Sequence, residues 1–296
     1  KRNDRREIAV NEQQLGIVRM RQKQYDNALT AYDKAKTIFK NLGESISVAA
    51  CCHQTAMIYR EIGKLEHAEN SCRQALAIQV RLQDRKSEAA SLDELGNVYS
   101  LMGRLEDAVI FSQQAAELSA SLQNKQYEGF IRSNLADTLV KLQRYNEARR
   151  ELLHAVECKK PFGHVAAPWK TWNILHDLEQ ATGNAQAAAE ARGKAVAAYL
   201  AYRRAGGESQ ANRAPLFALV AQALQDGSPA ALTAASAQLA ELAQSDIPAW
   251  LTPLLDKLQA VLRGDRSPAL ADDPALNYLD VAELQLLLES LQQFSV

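Results

Sequence analysis

"LGNVYSLMGRLEDAVIFSQQA", residues 95–115, and "LADTLVKLQRYNEARRELLHA", residues 135–155, differ at most positions yet set alanine at the same two places. Written in rows of 40, the chain puts Ala28, Ala68, Ala108, Ala148 and Ala188 in one column and Ala35, Ala75, Ala115, Ala155 and Ala195 in another. The chain holds 50 alanines among 296 residues. Ten such coincidences would arise by chance with a probability on the order of 10^-8, so the spacing is a repeat. Looser columns agree with it: Leu15, Thr55, Leu95, Leu135 and Leu175; then Gly16, Ala56, Gly96, Ala136 and His176; then Leu42, Leu82 and Leu122.

Within a row the apolar residues recur at three and four positions, as in Leu92, Leu95, Val98, Tyr99 and Met102, which predicts an amphipathic helix. A second such helix follows at once. Gly63, Gly103 and Gly183 mark the break, where a residue without Cβ takes the left-handed conformation that ends a helix; Lys23 and Gln143 stand there in the first and fourth rows. Each row is therefore a helical hairpin. The alanines lie where antiparallel helices must approach closely, and a bulky replacement would overpack the contact at a cost of roughly 1–3 kcal/mol.

These residues resemble the tetratricopeptide repeat, whose signature runs W-x2-L-G-x2-Y followed by two spaced alanines. The third row carries Leu95, Gly96, Tyr99, Ala108 and Ala115, and the fifth supplies the signature tryptophan as Trp172. The period of 40, longer than the usual 34, is similar to that of kinesin light chain and LGN-type adaptor repeats. His176 at a small-residue position and Arg19 at the tyrosine position depart from the signature. His176 suggests looser packing in the fifth row. The resemblance implies an all-α fold: a right-handed α-solenoid of five hairpins over residues 1–204, with rows at about 9–48, 49–88, 89–128, 129–168 and 169–204.

"AYRRAGGESQANRAP", residues 201–215, ends the last long helix at Gly206 and Gly207. Beyond it, helices are expected over Pro215 to Asp226, Pro229 to Gln244, Ile247 to Arg263 and Pro274 to Phe294, each opened by proline or a polar cap. The 40-residue register does not continue there. A solenoid's last repeat has a face without a neighbour, so residues 205–296 read as a C-terminal helical cap.

In the family the first helix of each hairpin lines a concave groove, and its positions carry over residue by residue. They are Gln13, Ile17, Met20 and Arg21 in the first row, then His53, Met57, Arg60 and Glu61. The third row supplies Asp93, Asn97 and Ser100, the fourth Phe130, Ser133, Asp137 and Lys141, and the fifth Lys170, Asn173, Asp177 and Gln180. Asparagines in such grooves hold a peptide backbone because a carboxamide both donates and accepts. Only Asn97 matches that pattern; Asp137 and Asp177 can only accept. The expected ligand is a protein or peptide segment, acidic or apolar at one end to suit Arg21, Arg60, Met20 and Met57, and basic at the other to suit the aspartates.

Other classes find less support. The formal net charge is -1 with a pI near 6.6, so no basic field would gather nucleic acid or anionic lipid. No apolar run reaches the roughly 20 residues of a membrane span. Cys51, Cys52, Cys72 and Cys158 form neither a metal-finger spacing nor a disulfide framework, which fits a reducing cytoplasmic compartment. No HExxH, GxSxG or phosphate-cradling loop occurs, so catalytic residues, cofactors and metals are not expected. Cys51, Cys52 and Cys72 read as buried structural thiols, although His53 adjoins the first two. "KKPFGH", residues 159–164, reads as a turn. Asp265, Asp272 and Asp273 lie in "GDRSPALADDPA", which reads as a polar connector more readily than as a paired-carboxylate site. The chain opens on Lys1, not methionine, in a charged, helix-like stretch, so further upstream domains are expected. The array is then a non-catalytic adaptor surface, or alternatively the sensor arm of a larger signalling protein such as a nucleotide-switched ATPase or protease.

Overall fold

The computed structural model describes residues 2–293, so Lys1 and the expected helix end at Phe294 lie outside the described residues. Every regular element among the described residues is helical. The chain divides into two compact units, residues 1–161 and 162–296.

The first unit holds four hairpins. These are α1 (Arg2–Arg21) with α2 (Tyr25–Leu42), α3 (Ser45–Glu61) with α4 (Leu65–Leu82), α5 (Arg85–Leu101) with α6 (Leu105–Ser121), and α7 (Lys125–Lys141) with α8 (Tyr145–Lys159). Each hairpin packs on the next through α2 on α3, α4 on α5 and α6 on α7. The alanine columns belong to the packed interior of the stack: Ala28, Ala68, Ala108 and Ala148, and Ala35, Ala75, Ala115 and Ala155, are fully buried. Gly96 shows why small residues are required, because a Cβ there would collide with the Ser112 hydroxyl and stand 3.3 Å from the Ala108 carbonyl. Gly103 closes its turn at φ 75°, with its N–H donated to the Ser100 carbonyl at 3.2 Å and the Arg104 N–H to Tyr99 at 2.9 Å. Gln143 repeats this geometry at φ 59° and Lys23 at φ 59°, without glycine's freedom. The same left-handed turn recurs between hairpins at Gly43, Gln83 and Gln123, each next to the leucine column at 42, 82 and 122. Side chains of Asp84 and Asn124 then accept from the N–H groups of Ser87 and Tyr127 and cap α5 and α7.

The second unit opens on another hairpin, α9 (Pro168–Ala181) with α10 (Ala185–Arg204), followed by α11 (Ala214–Asp226), α12 (Pro229–Gln244), α13 (Thr252–Leu262) and α14 (Tyr278–Gln293). Two of these start later than the sequence suggests. Pro248 stays extended at ψ 137°, delaying α13, and Asn277 caps α14 by accepting from the N–H groups of Leu279 and Asp280. "KKPFGH" contributes Lys159 to the end of α8 and a 3-10 segment, Lys160–Ala166, broken at Gly163. One apolar core runs from Trp169 and Tyr199 through Leu254 and Leu258 to Leu284 and Leu288. The buried tryptophan is thus Trp169; the signature Trp172 is half-buried beneath the Lys194 ammonium at 4.6 Å. His176 does not leave a gap: its Nδ1 lies 2.9 Å from the Ala188 carbonyl across the hairpin. Over α10 lies α14, tied by Arg203 and Tyr199 to Glu283, at 2.9 and 2.8 Å, while Arg213 forks onto Asp280 at 2.9 and 2.7 Å.

Candidate functional site

In the first unit, the first helices of successive hairpins touch one another, α3 against α5 and α5 against α7. Their shared face is therefore the tight side of the stack, and most of the residues proposed for a groove fall on or beneath it.

Three cross-helix contacts organise this face. His53 Nδ1 on α3 lies 3.2 Å from Ser91 Oγ on α5, Arg60 Nε donates to Glu94 Oε1 at 2.6 Å, and the Tyr127 hydroxyl on α7 donates to Asp93 Oδ2 at 3.1 Å. Asp93 is 5% exposed, and its other oxygen, Oδ1, has no partner. Burial, above all, pushes the Asp93 carboxyl up to about 7, against the opposing hydrogen bond from Tyr127. Burial also raises Glu94, which Arg60 partly offsets, and lowers His53, helped by the Arg60 charge. The face thus carries a neutral imidazole, a half-buried ion pair and a carboxyl poised to hold or release a proton near neutrality.

Farther along, Asn97 is half-buried with Ser100 one turn away, and Lys141 reaches both Ser100 at 3.5 Å and Asp137 at 2.8 Å. Asp137 and the exposed Phe130 face solvent on α7. Toward the turn edge, a pocket of about 220 Å³ opens between α3, α4 and α5, lined by Ile46, His53, Gln79, Leu82, Asp84 and Ala90. Gln79 is 3% exposed and its Oε1 lacks a partner, so this mainly apolar pocket contains an unused acceptor.

The remaining positions are spent differently. Ile17 and Met20 pack on the core around Tyr32 and Phe39, with Gln13 half-buried and Arg21 exposed beside them on α1; Met57 is half-buried on α3. Ser133 is buried, donating to the Gly129 carbonyl at 2.8 Å and accepting from Lys159 at 2.9 Å. Asn173 and Asp177 lie on α9 in the second unit, bonded to each other at 3.1 Å. Ser91, Glu94, Tyr127 and Gln79 were not anticipated. Arg60 to Glu94 and Asp93 to Tyr127 both span 34 residues, an opposite-charge or polar pairing at nearly the row length that the sequence does carry.

The four thiols are buried and unpaired. Desolvation raises Cys51 to about 12 and Cys158 to about 11, and raises Cys52 and Cys72 too, so none is a ready thiolate. Glu128, His154 and Cys158 bring three metal-type donors within 4.8 Å of one another, but Arg132 already donates to Glu128 Oε1 at 2.8 Å. Asp265 and Asp273 serve local turns, accepting from the N–H groups of Ser267 and Ala275 at 2.9 Å each.

A family model of the tetratricopeptide repeat matches residues 7–80 and 86–160, half of the chain. The chain belongs to the tetratricopeptide repeat family. Solved structures agree on the fold. The repeat chain resembles the nearly identical TPR-like repeats of a kinesin light chain from Podosopora anserina, at 21% identity and a TM-score of 0.57, over 66% of this chain and 95% of that one. It resembles BtubC from P. vanneervenii at 17% identity and 0.57, over 81% and 93%. The apo form of RapI superposes over 97% of this chain and 98% of its own, at 14% identity and 0.61. No protein of curated function matches the sequence. Among the described residues, no helix is long and apolar enough to cross a membrane.

Proposed function

We propose that the tight face of the first unit is a non-catalytic binding surface for an extended segment of another protein. One observation carries this reading: a pocket with exposed Ile46 and Leu82 at its rim holds the buried, unpartnered Gln79 acceptor beside His53. An apolar side chain bearing an N–H donor would fill the space and satisfy that acceptor, which otherwise costs about 1–3 kcal/mol. Asn97 then offers paired donor and acceptor groups to the segment's backbone, and Asp137 an acceptor for a basic side chain farther along. Gln13, Ile17, Arg21, Met57 and Ser133 flank or support this path; Arg60 and Asp93 set its electrostatics from beneath, and Asn173 and Asp177 present similar chemistry on α9. The helices after residue 204 act as the cap of the α9–α10 hairpin, supported by the packing of α14 on α10. Buried, unpaired thiols support a cytoplasmic setting.

The test is capture on a peptide array, followed by anisotropy with the captured segments. Ile46→Arg and the pair Asn97→Ala/Asp137→Ala are each expected to weaken binding by about tenfold or more while helicity is retained. Unchanged affinity in both would remove this face from the function.

A further inference from the structure

The other side of α3 holds a cleft of different chemistry. Helical spacing turns Val48 and Cys52 away from Ile46 and Met57, and with Ala77 and Ile78 of α4 they line the apolar part of a cleft of about 660 Å³ between α2 and α4. Lys36 and Lys40, one turn apart on α2, and Arg81 at the end of α4 also line it, with Thr37, Ser45 and Gln74 adding polar groups; no carboxylate lines it. Lys36 also reaches Asp33 at 3.2 Å. Neither Lys40 nor Arg81 has a carboxylate partner among the described residues.

The row register shows why this cleft occurs at the first junction. Where Val48 stands, the next rows have Glu88 and Glu128; where Cys52 stands, they have Leu92 and Arg132; and Lys36 is replaced by Leu76 and Ala116. At those later junctions the carboxylates are held internally, Glu88 by Arg85 at 3.0 Å and Glu128 by Arg132 at 2.8 Å. At the first junction, the two α3 positions carry smaller side chains and no carboxylate, while cations from α2 and α4 line the same cleft. Its volume falls in the range of small-molecule sites.

We propose that this cleft binds a small organic anion bearing two or more phosphate or carboxylate groups. Lys40 and Arg81 take the anionic groups from opposite walls, Arg81 by its planar fork. Lys36 adds a third positive charge, and Val48, Ala77 and Ile78 accept the ligand's carbon body. The site is separate from the peptide-binding face and would stand without it.

Calorimetric titration of the full chain with inorganic pyrophosphate and with citrate tests this, the two arms separating phosphate from carboxylate preference. At least one anion is expected to bind with one-to-one stoichiometry, more weakly as salt is raised. Lys40→Gln/Arg81→Gln is expected to lower affinity by about tenfold or more. Val48→Glu introduces the residue that rows three and four tolerate, and should abolish binding. Asn97→Ala, on the other face, should leave binding unchanged. The proposal is overturned if neither anion binds, or if the double variant binds as tightly as the parent; the surface double variant decides the matter should Val48→Glu misfold.

Discussion

Asp93 is where a single residue's environment most alters its chemistry. Its carboxyl ordinarily titrates at 3.8 and is pushed up to about 7 in the folded chain, chiefly by burial. A raised folded value means that the folded state keeps the proton through a range in which the unfolded chain has lost it. The contribution is therefore complete below about pH 4 and is lost as pH rises toward about 7, with a slope of at most ~1.4 kcal/mol per pH unit. Asp93→Asn should remove this slope: urea unfolding at pH 5, 6, 7 and 8 should show wild-type stability falling relative to the variant up to neutrality and running parallel above it. A constant difference across the series would disprove the assignment. Helical spacing puts Asp93 and Arg60 on one face of the first helices, but it does not show depth, with Asp93 buried and Arg60 half-buried. Depth depends on what the next hairpin lays over a residue, and Tyr127 and Glu94 entered only through packing. Gln79 was illegible for the same reason, since its position at the end of α4 becomes a pocket wall only where α3 and α5 converge.

At the scale of the element, the sequence was far more informative, because each helix end and each hairpin contact is fixed by local chemistry. Alanine columns, the glycine breaks and the first-helix apolar pattern all describe contacts within about 40 residues, and the structure buries those columns as their spacing required. The turns between hairpins were less visible because Gln83 and Gln123 occupy left-handed backbone without glycine's signature. Their geometry leads to a prediction. Gln143 adopts φ 59° where Gly103 adopts φ 75° in the corresponding turn, and an L-residue pays roughly 1 kcal/mol in that region. Gln143→Gly should therefore stabilise the chain by up to about 1 kcal/mol, less the added freedom of its unfolded state, and Gly103→Ala should destabilise it by about 1 kcal/mol. Nothing stands within 4 Å of a Cβ at Gly103, so the second effect would report backbone conformation and not collision. Denaturant midpoints for the two variants give the answer; shifts of the same sign would contradict it.

Over the whole molecule, legibility follows the distance between contacting residues. The first unit is built from neighbouring hairpins, so its repeat is written along the chain, whereas the second joins Arg213 to Asp280 and Tyr199 to Glu283 across 67 and 84 residues with no period to reveal them. The two units should accordingly respond differently to truncation. Removing residues 278–296 takes away α14, and with it the Glu283 and Asp280 partners and the buried Val281, Leu284, Leu287 and Leu288. Burying such side chains is worth about 1.5–3 kcal/mol apiece, so their combined loss is comparable to the whole margin of an ordinary domain. All three tryptophans, Trp169, Trp172 and Trp250, lie in the second unit, so tryptophan emission reports on that unit alone. A chain ending at Asn277 should show emission shifted toward that of water-exposed indole while keeping substantial helical circular dichroism, and residues 1–161 expressed alone should give a helical spectrum with a cooperative melt. Native emission from the shortened chain would mean that α14 rests on a core already complete without it.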